Sequence, residues 1–275
     1  MIVMTKLVCQ YYQKQKRGAL SFWSNELELD DRLYGVLKTL DHLGNCDLEL
    51  LKESTRRCVL RMKPFSEDHP SVVIKAFPLS RIEARIKHRK YGLAEVYHYL
   101  RAAEYELPIP ICYGYFEHRS FGTVKCNGVI IEDMYRYNTL DDLIQNSPDG
   151  RLSVFCKAIP TMAQLFKMGV NHIDLSPHNF MESGDGGRIV LIDWQYCSFL
   201  PANDPRQLVF QAAQFLRYTD LCQGDPDWLT WLERLYEACS PSLEFGVFCR
   251  NVADVQSQKR ASIKDRLSLT LDLSV

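Results

Sequence analysis

From Asp47 onward, short apolar runs alternate with polar breaks. DLELLKES (47–54), RRCVLRMK (56–63) and SVVIKAF (71–77) each hold β-branched or other apolar residues, and STR and PFSEDHP between them are turn-forming. The pattern predicts three strands in an antiparallel meander. Beyond Pro78, Leu93, Val96, Tyr97 and Leu100 recur at helical spacing until LPIPICYGYF stops them. A helix across 80–106, broken at Gly92, is expected there. Residues 111–116 and GVIIEDM (128–134) read as two more strands, so the first half is β-β-β-α-β-β. From TLDDLI (139–144) the spacing turns helical, interrupted by the polar segment GVNHIDLSPHNFM (169–181) and by one short strand, RIVLID (188–193). QLVFQAAQFLRYTDL, DWLTWLERLYEAC and VFCRNVADVQSQKRASIKDRL are expected helices, with Trp228 and Trp231 packed in their core. Residues 1–45 settle into no single period.

The fold class expected is therefore α+β and bilobal, with a β-rich lobe over 1–134 and a helical lobe over 135–275. The chain has 275 residues, 46% of them hydrophobic, enough for two cores. Its charges cancel to −1, which excludes nucleic acid as an electrostatically driven main partner. Ten cysteines stand singly with no CxxC pair, as expected of buried thiols in a reducing compartment and not of a zinc site. The first 17 residues lack a signal peptide's apolar core, and no run of about 18 apolar residues occurs. A cytoplasmic protein, at most peripheral on a membrane, is expected.

The chemistry-bearing residues lie in order along the chain. Phosphoryl transfer to a hydroxyl needs a carboxylate at the hydroxyl, magnesium ligands, and a cation on the nucleotide phosphates. Asp174 suits the first role. Asn179, five residues on, offers a neutral oxygen, and Pro177 stiffens the turn between them. Asp193 closes RIVLID, so that a carboxylate and an amide oxygen make up a plausible protein share of a magnesium site. Lys75 ends the apolar run SVVIK and needs a carboxylate partner, for which Glu95 is placed better than Glu83. An ordinary surface pair worth under about 1 kcal/mol is the alternative.

HIDLSPHN resembles the catalytic loop of the protein-kinase-like fold, LIDW its magnesium site and VVIK its nucleotide lysine. More narrowly, KAF with LAEVYHYLRAAEYELPIP, and GVNHIDLSPHNF with IVLIDW, resemble the bacterial lipopolysaccharide core kinases, which phosphorylate a heptose or Kdo sugar. The similarity spans roughly residues 57–215.

The resemblance implies an ATP- and magnesium-dependent phosphotransferase. Asp174 would be its base, Asn179 and Asp193 its metal ligands, Lys75 its phosphate cation and Glu95 the ion-pair partner. His172 would orient the loop. Glu132 and Met134, in IIEDMYRY, would meet the adenine. The sequence departs from the pattern at LKESTRR (51–57), which has no glycine, so Ser54 and Thr55 would contact the phosphates. Trp194 and Gln195 replace Phe-Gly, and no Ala-Pro-Glu follows, which argues for a small-molecule or glycan acceptor. An aminoglycoside- or choline-type phosphotransferase and a pseudokinase scaffold are the alternatives. The basic stretch RIEARIKHRK (81–90) reads either as a solvated helix face or as a patch drawn to anionic acceptors at the inner leaflet.

Overall fold

The structure is a computed structural model, and it describes residues 2–40, 48–54, 57–64, 70–79, 84, 90–146 and 150–270. The chain divides into two compact units: Met1–Arg101 with Pro110–Met134, and Ala102–Ile109 with Tyr135–Val275.

The first unit is built on seven antiparallel strands. They are β1 (Gln13–Arg17), β2 (Leu20–Ser24), β3 (Leu48–Glu53), β4 (Cys58–Met62), β5 (Val72–Pro78), β6 (Cys112–Ser120) and β7 (Thr123–Glu132), in the spatial order β1-β2-β6-β7-β5-β4-β3. The expected meander β3-β4-β5 forms one edge of this sheet. The other edge comes from the unassigned N-terminal region, as a β1–β2 hairpin turning at Gly18, φ +55°.

Side chains alternate across the pleat and serve two cores. On one face Phe22, Leu60, Ile74, Phe116 and Ile130 pack with Leu33, Val36 and Leu37 of α2 (Asp31–Lys38). On the other, Tyr115 and Val129 pack with Val8 of α1 (Ile2–Tyr11) and with Val96 and Leu100 of α3 (Tyr91–Glu104). Gly92 itself lies inside α3, which begins at Tyr91 after a turn at Lys90; residues 80–83 and 85–89 of the expected helix lie outside the described residues.

The second unit holds α4 (Leu140–Asn146), α5 (Arg151–Cys156), α6 (Ile159–Met168), α7 (Pro205–Leu216), α8 (Pro226–Cys239), α9 (Phe245–Ser257) and α10 (Ile263–Ser268). Two small sheets accompany them. One orders β11 (Ile189–Leu191), β10 (Phe180–Ser183) and β8 (Tyr137–Thr139); the other pairs β9 (Val170–His172) with β12 (Cys197–Phe199). Trp231 is fully buried and stacks on Phe215 at 5.0 Å, while its indole N–H donates to Phe155 O. Residues 102–109 group here because Gln164 Nε2 donates to the carbonyls of Tyr105 and Glu106, and Leu191 N–H donates to Pro108 O.

No disulfide occurs among the described residues, but the cysteines are not uniformly buried: Cys9 and Cys222 are exposed. No described helix is long and apolar enough to cross a membrane.

Gly169 joins α6 to β9. Its φ is +67°, and a Cβ there would lie 2.2 Å from Leu200 O, whose own amide N–H donates to Gly169 O at 2.7 Å. Gly169→Ala is expected to lower unfolding free energy by about 2 kcal/mol or more, since it adds a backbone clash to left-handed strain. Urea denaturation checks this; a loss under about 0.5 kcal/mol would contradict the packing described.

Candidate active site

Lys75 and Glu95 meet inside the first unit. Lys75 sits in the middle of β5, between Val59 of β4 and Val129 of β7, and Glu95 lies one turn into α3. Nζ and Oε1 are 2.7 Å apart, with the residues 6% and 0% exposed. This burial removes the surface-pair alternative. One glycine of the helix, Gly92, lets it come that close. A Cβ on Gly92 would lie 2.9 Å from Gly128 N and 2.5 Å from Asn127 Oδ1, which accepts the Gly92 N–H. Glu83, the competing partner, lies outside the described residues.

The remaining first-unit candidates are distributed differently. Ser54 is exposed and its hydroxyl closes the β3–β4 turn, accepting Arg57 N–H at 3.1 Å. Thr55 lies outside the described residues, as do all of 81–90 except Ala84 and Lys90. Glu132 ends β7, its carboxylate accepting Ile111 N–H at 3.0 Å, and Met134 is buried. Between them sits Asp133, a buried carboxylate that sequence reasoning missed. It binds Arg61 Nε at 2.9 Å and Ser71 Oγ at 2.6 Å. The signal was its place at the end of an apolar strand, where a charge has to be paired.

In the second unit, His172, Asp174, Asn179 and Asp193 belong to one hydrogen-bonded segment. Pro177–Asn179 forms a single 3₁₀ turn, and Asn179 Nδ2 donates to Asp174 O at 2.7 Å. With the amide so oriented, Oδ1 is the atom left for a cation. Asn179 O then accepts Ile192 N–H at 2.9 Å, tying the loop to the residue before Asp193. His172 is fully buried and its Nε2 donates to Asp193 O at 3.1 Å. Burial holds its pKa below the ordinary value, so the ring is neutral and its proton lies on the nitrogen that faces a carbonyl. Trp194 stands edge-on to that ring, centroids 5.1 Å apart, and its indole N–H donates to Leu191 O. Asp193 lies two residues beyond β11, not at its last residue, and has φ +63°.

Sequence reasoning missed what supports this segment. Gln207 and Gln211, one turn apart on α7, are buried and both donate to Val170 O, at 2.9 and 3.0 Å. Glutamines at i and i+4 on an apolar helix were the available signal. Asn171 Nδ2 donates to Arg266 O at 2.9 Å, and Arg266 Nη1 donates to Ile173 O at 3.0 Å. Arg260 Nη2 pairs with Asp174 Oδ1 at 2.5 Å, with side chains 41% and 37% exposed. The region beyond residue 245, to which no role was assigned, thus reaches the candidate base itself.

The carboxylates and amide here are hard oxygen donors. Among the described residues no group of three or more His, Cys, Asp or Glu side chains is placed to hold a metal. Asn179 Oδ1 with the Asp193 carboxylate therefore fits an ion that takes most ligands from phosphate and water, as magnesium does.

No protein-family model matches the chain, and no curated protein matches it in sequence. Solved structures do match. The β-rich first part and helical second part are those of the protein-kinase-like fold. Among the 1183 matching chains is WaaP in complex with acyl carrier protein, at TM-score 0.54 and 16% identity, covering 81% of this chain and 89% of that one. A fold so widely shared does not select a substrate.

Two outcomes are expected from these geometries. Lys75→Met strands a buried carboxylate and should cost about 3 kcal/mol or more of stability, with Lys75→Met/Glu95→Leu recovering most of it; a surface pair would cost under about 1 kcal/mol. Urea unfolding of the single and double variants decides between them. At Asp193, asparagine keeps a side chain that tolerates positive φ whereas alanine does not. Asp193→Ala should unfold about 1 kcal/mol more easily than Asp193→Asn, a difference that thermal denaturation resolves. Equal midpoints would show that the left-handed backbone is not strained.

Proposed function

We propose that the chain is an ATP-dependent kinase that phosphorylates a sugar hydroxyl, most specifically a heptose or Kdo of the lipopolysaccharide inner core. The observation that carries this is the 172–193 segment, in which hydrogen bonds onto backbone carbonyls tie together the stretches that carry Asp174, Asn179 and Asp193. In this reading residues 1–134 hold the nucleotide and 135–275 carry the loop.

Lys75, kept in place by Glu95, binds the nucleotide phosphates; Glu132 and Met134 meet the adenine; Ser54 and Thr55 border the phosphates. Asp174 accepts the proton of the acceptor hydroxyl as its oxygen bonds to the γ-phosphorus and ADP leaves. Asn179 and Asp193 would hold magnesium, which supplies charge neutralisation on the phosphates when bound. Neutral His172 stays a structural donor, since its proton is committed to Asp193 O.

The acceptor assignment has two supports. One is the motif resemblance to the lipopolysaccharide core kinases. The other is the fold shared with WaaP. Peripheral association with the inner face of the membrane through 81–90 belongs to the same proposal.

The test incubates the protein with magnesium, ATP and dephosphorylated lipopolysaccharide core oligosaccharide, and reads phosphate transfer by phosphorus NMR and mass spectrometry. Phosphate on a core sugar is expected, with Asp174→Ala slowing turnover by about 100-fold or more while still folding cooperatively. Aminoglycosides and choline are run in parallel; transfer to those alone would overturn the acceptor. Failure of wild-type protein to bind ATP with magnesium would overturn the enzyme reading in favour of a scaffold.

A further inference from the structure

Three guanidinium groups, those of Arg217, Arg260 and Arg266, lie within one another's fields, and Arg260 pairs with the carboxylate of Asp174. Arg217 Nη2 donates to the carbonyls of Val255 and Gln258, which ends α9 and anchors the stretch carrying Arg260. Arg266 Nη1 holds Ile173 O, next to the base. Arg260 itself pairs with Asp174 and lies over the Tyr218 ring.

Among the described residues, that contact is the one ion pair any of the three makes. Nε of Arg217 and Nε of Arg266 are buried and make no hydrogen bond there. Burial and then the charge of Arg260 hold both guanidiniums below the ordinary arginine value, which places the three within reach of one another's fields. Positive charge exceeding its counter-charge in a partly desolvated place is unfavourable unless an anion comes to it. The loop DLSPHN contains neither Lys nor Arg, so the cation at the base arrives from 86 residues away. Arg260 Nη2 engages only Oδ1, leaving Oδ2 of Asp174 for a hydroxyl.

We infer that Arg260, backed by Arg217 and Arg266, forms an anion subsite that reads a phosphate or carboxylate carried by the acceptor beside its reacting hydroxyl. The inference rests on Asp174 being the base of the proposed kinase. Lys75 and the metal ligands serve the transferring phosphoryl group, which leaves this cluster for the acceptor. A guanidinium offers a planar fork of donors, so Arg260 can share itself between Asp174 and an incoming oxyanion. Arg217 and Arg266, fixed by backbone carbonyls, supply field without moving. Arg260 is a specificity-determining residue in this scheme, and a neutral acceptor gains nothing from it.

Two measurements test this, and the first needs no turnover. Inorganic phosphate is titrated calorimetrically into wild-type protein, Arg260→Lys and Arg260→Ala, whose folding is verified by thermal denaturation. Affinity should fall about tenfold or more in Arg260→Ala and less in Arg260→Lys, which keeps charge without the fork. Equal phosphate binding in all three overturns the subsite. A protein that proves not to be a kinase can still pass this arm, so the two failures are distinguishable.

The second compares core oligosaccharide bearing its phosphates and carboxylates with the same oligosaccharide dephosphorylated and carboxyl-reduced. Arg260→Ala should raise KM for the anionic acceptor about tenfold more than KM for the neutral one, any change it makes to kcat through Asp174 being common to both. An equal rise in KM with both acceptors overturns the proposal by placing Arg260 on the transferring group. A rise in turnover with both and no difference in KM between them overturns it by making the Arg260–Asp174 contact a lock.

Discussion

A backbone polar group taken out of water must find a partner, and β9 has only three residues with which to find them. That constraint organises the second unit. Val170 O is met by two glutamines, Ile173 O by an arginine and Asp193 O by a neutral histidine. The loop between β9 and β12 is thus held from α7, from α10 and from its own histidine. Such side-chain donors are costly to bury, and each left unmet would destabilise by about 1–3 kcal/mol. They hold the loop where its short strands could not, and in the proposed kinase that hold would preorganise the phosphoryl-transfer site.

The first unit solves a different problem with a different device. An ammonium group in the middle of a sheet is tolerated only with its counter-charge at hand, and no residue on β5 can supply one from the same strand. The counter-charge has to come from a helix lying almost on the backbone of β7, which a glycine at the crossing permits. Gly92 sets the distance, Asn127 fixes the helix start, and Glu95 then falls on Lys75. Packing and charge pairing therefore depend on each other, so neither can be altered alone without loss of the other.

What was legible in the sequence follows from how far apart the interacting residues lie. Asp174, Asn179 and Asp193 share a short stretch, so their spacing carried the geometry. Lys75 and Glu95, 20 residues apart, were recoverable because an apolar run ended in a charge that needed a partner. The β1–β2 hairpin was not legible: QKQKR is exposed along most of its length, and LSFWS is buried on nearly every residue, so neither alternates. Arg260 and Arg266 gave no local signal either, since their partners lie 86 and 93 residues away. Asp193 was read as a strand end, yet it occupies a left-handed turn beyond the strand, a position no periodicity reveals.

The clasp of Arg266 on Ile173 also orders events in time. A chain growing at roughly 5–20 residues per second reaches position 266 about 5–20 s after position 173, and until then the catalytic segment lacks one of its backbone partners. The Asp174–Asn179 stretch is therefore made well before Arg266, one of the groups that hold it, and its last backbone partner arrives only once the chain has grown past α10.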